Sequence, residues 1–256
     1  MTTVQDILDY LETIAPSSLK MDWDNVGLLC GSKTTPITKI LVALDPFEDV
    51  CQEAVDFGAQ LLLTHHPLIF TAPHAITDET SVGRSIQLLC KNGISAVNAH
   101  TNLDCAPGGV NDVLAETLGL EGITPIESMD GTLLRHGFVE EQLLCNFLCH
   151  IKEKLHCKGL RFVAGGTPVR HVAVGGGACA SELMDAYRAG CDTFVTSDIK
   201  YNQFRDAMDL GMNLIDAGHF ATENPVIPVL AEKIQAKFPE VQVKISETHK
   251  DHINFF

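Results

Sequence analysis

Four segments of this chain share one layout: a helical stretch, a glycine, a short apolar run, then polar residues. They read AVDFGAQLLLTHH, LLCKNGISAVNAH, DAYRAGCDTFVTSD and DAMDLGMNLIDAGH, with glycines at Gly58, Gly93, Gly190 and Gly211. A glycine there suits the left-handed turn just past a helix C-terminus. A strand of about five residues follows each one. Repeated helix–glycine–strand units predict an α/β fold with largely parallel sheets. KILVALDP (39–46), which carries Asp45, and RHVAVGGG (170–177) read as two more strands of the same kind. The chain is expected to form two α/β lobes, residues 1–125 and 126–256, joined through GLEGITPIESMDG (119–131).

Counting seven or eight residues on from each glycine reaches His65 and His66, then His100, then Ser197 and Asp198, then His219. Each predicted strand therefore ends at side chains that bind metal or move protons. Open α/β sheets bind ligands outside the carboxyl ends of their strands, so these ends can converge on one ligand.

Each group has a plain reading beside the functional one. A lone histidine is usually structural or solvated. Adjacent residues in a regular strand point to opposite faces, so His65 and His66 would serve two ions side by side rather than chelate one. Asp104, four residues past His100, is a loop carboxylate or a ligand. His219 and Glu223 are spaced i, i+4, which puts both on one face of a helix starting near residue 218. Together His65, His66, Asp104, His219 and Glu223 offer only nitrogen and oxygen donors. They exceed what one closed zinc site needs and suit two divalent ions with open positions. VGGGA (174–178) is either an anion cradle or a tight strand–helix packing turn. Trp23 stands beside a D-N-x-G turn and reads as core or interface. Asp198 and Lys200 lie at one more strand end.

Composition removes several alternatives. A formal charge of −15 over 256 residues, with no basic patch, argues against nucleic acid as a partner. No apolar run approaches the ~20 residues of a membrane span. The nine cysteines are scattered and never in C-x-x-C spacing, so the expectation is reduced thiols in a cytosolic protein, without a disulfide framework or a thiolate zinc site. The N-terminal residues read as a capped amphipathic helix and not as a targeting segment.

The segments DWDNVGLL (22–29), THHPLIF (64–70), NAHTNLD (98–104), TSDIKY (196–201) and GHFATE (218–223), spread along nearly the whole chain, resemble the GTP cyclohydrolase I type 2 homologs, also called Nif-three-like dinuclear-metal proteins. The resemblance implies a two-metal site between two α/β lobes and assembly into a ring-like homohexamer. It assigns metal-ligand roles to His65, His66, Asp104, His219 and Glu223. His100 would lie near the metals, either supporting a ligand or acting as an acid/base group, and His100 and Glu223 would be the catalytic pair. The cofactors would be two divalent ions per chain, of the zinc, iron or manganese kind. Two positions depart from the family's pattern: Ser197 replaces a glycine, and Asn202 stands where a histidine is common.

The activity implied is hydrolysis of a small molecule, with opening of a purine nucleotide ring by activated water. The rival is a non-catalytic metal-binding scaffold or regulatory protein. Metal affinity is expected to be flat above about pH 7 and to fall in acid, because a protonated imidazole has no lone pair to donate.

Overall fold

The four repeat glycines all take positive φ, 71° at Gly58, 66° at Gly93, 82° at Gly190 and 71° at Gly211, in the computed structural model of this chain, which describes residues 1–128 and 131–256. Each turns the chain from a helix into the next strand, as the repeat requires.

Along the chain the elements are α1 (Val4–Ile14), β1 (Gly27–Cys30), β2 (Lys39–Ala43), α2 (Glu48–Phe57), β3 (Leu61–Thr64), α3 (Ser81–Lys91), β4 (Ser95–Asn98) and α4 (Thr101–Cys105). There follow α5 (Val110–Thr117), β5 (Glu121–Pro125), β6 (Arg135–Gln142), α6 (Leu144–Lys154), β7 (Arg161–Val163) and β8 (Val169–Val174). The rest are α7 (Leu183–Arg188), β9 (Thr193–Thr196), α8 (Tyr201–Leu210), β10 (Asn213–Asp216), α9 (His219–Glu223), α10 (Val226–Lys237) and β11 (Gln242–Ile245). Helix α1 starts at a capping box, in which Thr3 Oγ1 accepts from the Asp6 N–H and Asp6 accepts from the Thr3 N–H at 2.7 Å. No described helix is long and apolar enough to cross a membrane.

The chain forms two units, residues 1–106 with 227–250, and residues 107–226 with 251–256. This differs from the expected division at 125/126. The break falls between Ala106 and Pro107, where α4 ends. The expected connection holds strand β5, which pairs with β6 in the second unit; residues 129 and 130 of that segment lie outside the described residues. The C-terminal portion returns to the first unit because β11 pairs in parallel with β2, a long-range match that no local pattern announces.

In the first unit the strand order is β1-β4-β3-β2-β11, all parallel except β1 at one edge. Leu41, Ala43, Leu62 and Ala96 pack with Val50, Ala54, Ile86 and Leu89 of α2 and α3. Ile40, Val42, Leu61, Leu63 and Val97 alternate with them and are also buried. Such near-continuous apolar strands are what a parallel sheet covered on both faces demands.

The second unit orders its strands β5-β6-β8-β9-β10-β7. Its centre, β8-β9-β10, is parallel, and the strands added on either side are antiparallel. Val172, Val174, Val195 and Ile215 face Phe147 and Ile151 of α6, whereas Ala173, Phe194 and Leu214 face Leu183, Ala186 and Ala207 of α7 and α8. The period-two split shows a sheet sandwiched by helices.

One carboxylate fastens the returning C-terminal segment to the first unit. Glu53 on α2 accepts from Ser246 Oγ (2.6 Å), Thr248 Oγ1 (2.8 Å) and the N–H groups of Glu247 and Thr248 (both 3.1 Å), and pairs with Lys244 Nζ at 3.1 Å. Burial raises its pKa, but these donors outweigh burial and hold it at about 2. A depressed carboxylate contributes stability that is present above its unfolded pKa of ~4.5 and lost as pH falls towards 2. Glu53→Ala is expected to cost about 2–4 kcal/mol near pH 7 and much less at pH 3. Chemical denaturation at the two pH values reads this, and an equal cost at both would contradict it.

Candidate metal centre

Strand register brings the predicted residues of the first unit to one edge. Ala43, Thr64 and Asn98 are register partners at the ends of β2, β3 and β4. The residues that follow, Asp45, His65, His66 and His100, emerge together. His65 and His66 lie just past β3 rather than on it. Both still donate backbone N–H groups, to Ala43 O at 3.3 Å and Leu44 O at 2.9 Å. A regular strand turns only alternate N–H groups towards one neighbour, so alternation is lost here. The two rings therefore do not point to opposite faces, and their centroids lie 5.0 Å apart. Together with His100 they offer nitrogen atoms within 4.8 Å of one another.

Every one of these rings is held by an oxygen at Nδ1. His65 Nδ1 donates to Ala99 O at 2.9 Å, His66 Nδ1 to Asp45 Oδ1 at 2.6 Å, and His100 Nδ1 to Asp24 Oδ1 at 2.8 Å. A proton held at Nδ1 leaves the lone pair on Nε2, the arrangement by which proteins prepare imidazole for metal. His65 Nε2 faces Asp104 Oδ1 at 3.5 Å, and both residues are buried. Asp24 also accepts from Thr101 N (3.0 Å) and Thr101 Oγ1 (2.5 Å). Burial raises the Asp24 pKa, yet the bonds from His100 and Thr101 hold it well below the usual carboxylate range. Asp24 is thus a fixed negative charge behind His100.

Trp23, beside Asp24, is 63% exposed, and Phe70 is 58% exposed. Their ring centroids lie 5.7 Å apart, and each is within 6.3 Å of the His100 ring. The tryptophan read from sequence as core or interface is not core: with Phe70 it forms an exposed aromatic face beside an imidazole.

In the second unit, α9 opens after Gly218 and brings His219 and Glu223 together as the i, i+4 spacing predicts, with Nε2 to Glu223 Oε2 at 3.1 Å. His219 Nδ1 donates to Asp198 Oδ2 at 2.5 Å. Asp198 holds that position with φ 53°, a left-handed conformation costing a non-glycine residue about 1 kcal/mol. The bond to His219 lowers the Asp198 pKa. Burial disfavours charge on His219, but bonds to Asp198 and Glu223 outweigh it and push the imidazole up to about 11. A cation at Nε2 therefore competes with a tightly held proton.

The glycine run settles its two readings in favour of packing. Its three N–H groups are spent inside the protein, Gly175 on Val195 O (3.0 Å), Gly176 on Asn111 Oδ1 (2.7 Å) and Gly177 on Thr222 Oγ1 (3.0 Å), so they do not form an anion cradle. Ser197, at the family's glycine position, is buried and donates to Gly177 O at 2.7 Å. A Cβ at Gly177 would sit 2.1 Å from Glu223 Oε1 and 3.1 Å from His219 Nε2. Gly177→Ala is therefore expected to displace this pair and to lower retention of divalent metal as far as removing Glu223 does. Gly93→Ala, at a similar φ with nothing within 4 Å of the added carbon, should keep its metal. Equal metal content in the two variants would contradict the packing argument.

Each unit thus assembles its own share of the predicted residues: His65, His66, His100 and Asp104 in the first, His219 and Glu223 in the second. Sequence reasoning does not assign the groups that orient the rings: Asp24, Asp45, Asp198 and the Ala99 carbonyl. Asp45 and Asp198 carry a signal, since both follow predicted strands. Asp24 carries none, because it meets His100 from 76 residues away. Asn202 lies exposed on α8.

An α/β protein of two units, each presenting imidazole and carboxylate at the carboxyl ends of parallel strands, belongs to a class with candidate metal-binding groups. The chain belongs to the Duf34/NIF3 (NGG1p interacting factor 3) family, whose model matches residues 2–252. It is 38% identical over 259 residues to the GTP cyclohydrolase 1 type 2 homolog of Clostridium perfringens, covering 98% of this chain and 99% of that protein. The protein of the same name from Clostridium acetobutylicum is 30% identical over 263 residues, with 98% of each covered. Among solved structures, a Bacillus cereus protein related to NIF3 superposes with a TM-score of 0.94 at 26% identity, covering 100% of this chain and 99% of that one.

Proposed function

We propose that the chain is a metal-dependent hydrolase in which His65, His66, Asp104, His219 and Glu223 hold two divalent ions, and that its substrate carries a planar heterocycle of the purine nucleotide kind. The observation that carries this reading is the presentation of the imidazoles. Each of the four rings has its Nδ1 against an oxygen, at 2.5 to 2.9 Å. Structural histidines have no need of one shared tautomer, whereas ligands do. The donor set fits such ions: imidazole with carboxylate, no thiolate, and more donors than one closed site uses. When bound, two divalent ions supply Lewis acidity, polarising a substrate oxygen and bringing the pKa of water towards ~7.

The chain's own residues supply the rest. His100 keeps Nε2 as a proton acceptor, and ionised Asp24 behind it stabilises the imidazolium formed when a proton arrives. The buried Glu223 carboxylate contributes negative charge and an acceptor for a substrate or water proton. Trp23 and Phe70 offer faces on which a base stacks, worth about 1–3 kcal/mol per base. The name carried by the relatives, GTP cyclohydrolase 1 type 2 homolog, supports a purine nucleotide as first choice. The same reading has the protein in the cytosol, where its nine cysteines stay reduced, assembled as a homohexamer, with neither nucleic acid nor membrane as partner.

Metal-loaded protein assayed against GTP, other nucleotides and phosphoesters tests the reaction. Turnover of a nucleotide, lost in Glu223→Ala, is the expected result. Trp23 is the single tryptophan of the chain, so its fluorescence reports stacking directly. Purine nucleotides should quench it, and Trp23→Ala should raise KM about tenfold with kcat little changed. No turnover and no quenching across the panel would remove the enzyme reading and favour a metal-binding scaffold.

A further inference from the structure

Away from these residues, the second unit brings together three side chains that the proposed chemistry does not use. His136 lies on β6, His171 on the neighbouring β8, and Cys191 in the turn entering β9. One donor atom from each lies within 4.8 Å of the others. Cys191 precedes β9 and Asp198 follows it. The six residues between them span about 20 Å of extended chain, so this cluster is separate from the His219–Glu223 group.

The hydrogen bonds fix the proton positions. The Gly190 carbonyl can only accept, so His171 Nδ1 donates to it at 2.9 Å, and His171 Nε2 carries the lone pair. That nitrogen lies 2.7 Å from His136 Nδ1, which must donate. His136 Nε2 then accepts from Thr124 Oγ1 at 2.9 Å. Phe138 stacks on the His171 ring, with centroids 4.4 Å apart, and limits its rotation. Each ring thus has an oxygen partner at one nitrogen and the neighbouring ring at the other, and a neighbouring oxygen is what orients metal-binding imidazoles.

We propose that His136, His171 and Cys191 form a distinct metal site, a His2Cys site for one borderline divalent ion of the zinc and cobalt(II) kind. The donor set selects the ion. A thiolate with two imidazoles suits zinc, cobalt or copper and disfavours magnesium, calcium and manganese. Three protein ligands leave a fourth position for water or an outside ligand.

Binding is balanced as follows. The ion accepts the lone pair that His171 Nε2 already presents. His136 moves its ring proton from Nδ1 to Nε2, where Thr124 Oγ1 becomes the acceptor, and gives the Nδ1 lone pair to the ion. Cys191 releases its thiol proton to solvent, so one proton leaves per ion bound. Two nitrogens on a tetrahedral ion sit about 3.3 Å apart, and nitrogen and sulfur about 3.5 Å. The rings must part by roughly 0.6 Å and the sulfur close by at most about 1.3 Å, movements within reach of side-chain rotation. Burial and the neighbouring His171 lower the His136 pKa, which keeps that ring neutral. Burial, then Asp192, pushes the Cys191 thiol up to about 12, so the ion must displace a proton and binding should strengthen with pH.

Cobalt(II) titration of the whole protein tests this, because the nitrogen and oxygen donors proposed for the other centre cannot give a sulfur-to-cobalt charge-transfer band. The expected result is a near-ultraviolet band that saturates at one thiolate-bound cobalt per chain and persists in Glu223→Ala. It should vanish in Cys191→Ser. In His136→Gln, a change at a half-buried ring that spares the core should the serine variant misfold, cobalt affinity at this band should fall at least ~10-fold. No band, or a band of the same intensity and affinity in both variants, would overturn the proposal.

Discussion

Glu223→Ala and Asp104→Ala should strip metal from the protein, leaving one ion or fewer at the centre proposed to hold two in the native chain. Both carboxylates are buried, beside His219 Nε2 at 3.1 Å and His65 Nε2 at 3.5 Å. A buried carboxylate brings negative charge to a dication where little water can replace it. Removing a group that merely supports a ligand costs ~10–100-fold in metal affinity, and removing the ligand should cost at least that. Asn202→Ala, at an exposed position of α8, should keep its metal. Elemental analysis after dialysis separates the variants. Unchanged metal in both carboxylate variants would end their assignment as ligands.

Acid should release both ions, over a window set by imidazole. His65 and His66 can donate to metal only when Nε2 is unprotonated, and an ordinary histidine titrates near ~6.5. Retention should fall steeply between about pH 6 and 5, as several ligands gain protons together, and finish as the carboxylates protonate. The structure changes the alkaline side of this expectation. With its pKa at about 11, His219 must lose a proton when a cation replaces it, so affinity should keep rising above pH 7 instead of levelling off. The sign for stability is opposite. In the absence of metal, a raised His219 pKa contributes stability that is fully present below ~6.5 and is lost as pH rises through about 11. Competition against a chelator from pH 5 to 9 reads the affinity. A flat curve from pH 7 to 9 would contradict proton displacement at His219, and unchanged affinity at pH 4 would contradict imidazole ligation altogether.

Much of this fold is written locally. Helix, left-handed glycine and apolar strand follow one another within about fourteen residues, so β3, β4, β9 and β10 are legible in the residues alone, and KILVALDP and RHVAVGGG give β2 and β8. The strands that no such pattern marks, β1, β5, β6, β7 and β11, sit towards or at the sheet edges. Most are half-exposed and pair antiparallel, and β11 finds β2 across some two hundred residues. Their sequences lack the apolar run and the preceding glycine, and their places are decided by long-range register. That is also why the expected division of the chain differs from the observed one: β5 resembles a Gly- and Pro-rich connection, and only its pairing with β6 makes it a strand.

The candidate site divides along the same line. His65, His66, His100 and His219 are visible because the repeat puts them at strand ends, and Glu223 because it lies one helical turn from His219. Asp24 is not, since a carboxylate in a D-N-x-G turn reads alike whether it faces solvent or His100. The relation between His65 and His66 departs from expectation for a different reason: alternation holds within a regular strand, and these two residues lie just beyond its end.

The most direct test of the central claim is the metal stoichiometry of Cys191→Ser protein, prepared without chelator and loaded with zinc, which isolates the proposed dinuclear centre from the His2Cys cluster. The expected result is about two ions per chain, falling to one or none when His65 and His66 are both changed to alanine. A single ion per chain, or two ions that survive the loss of both histidines, would contradict it.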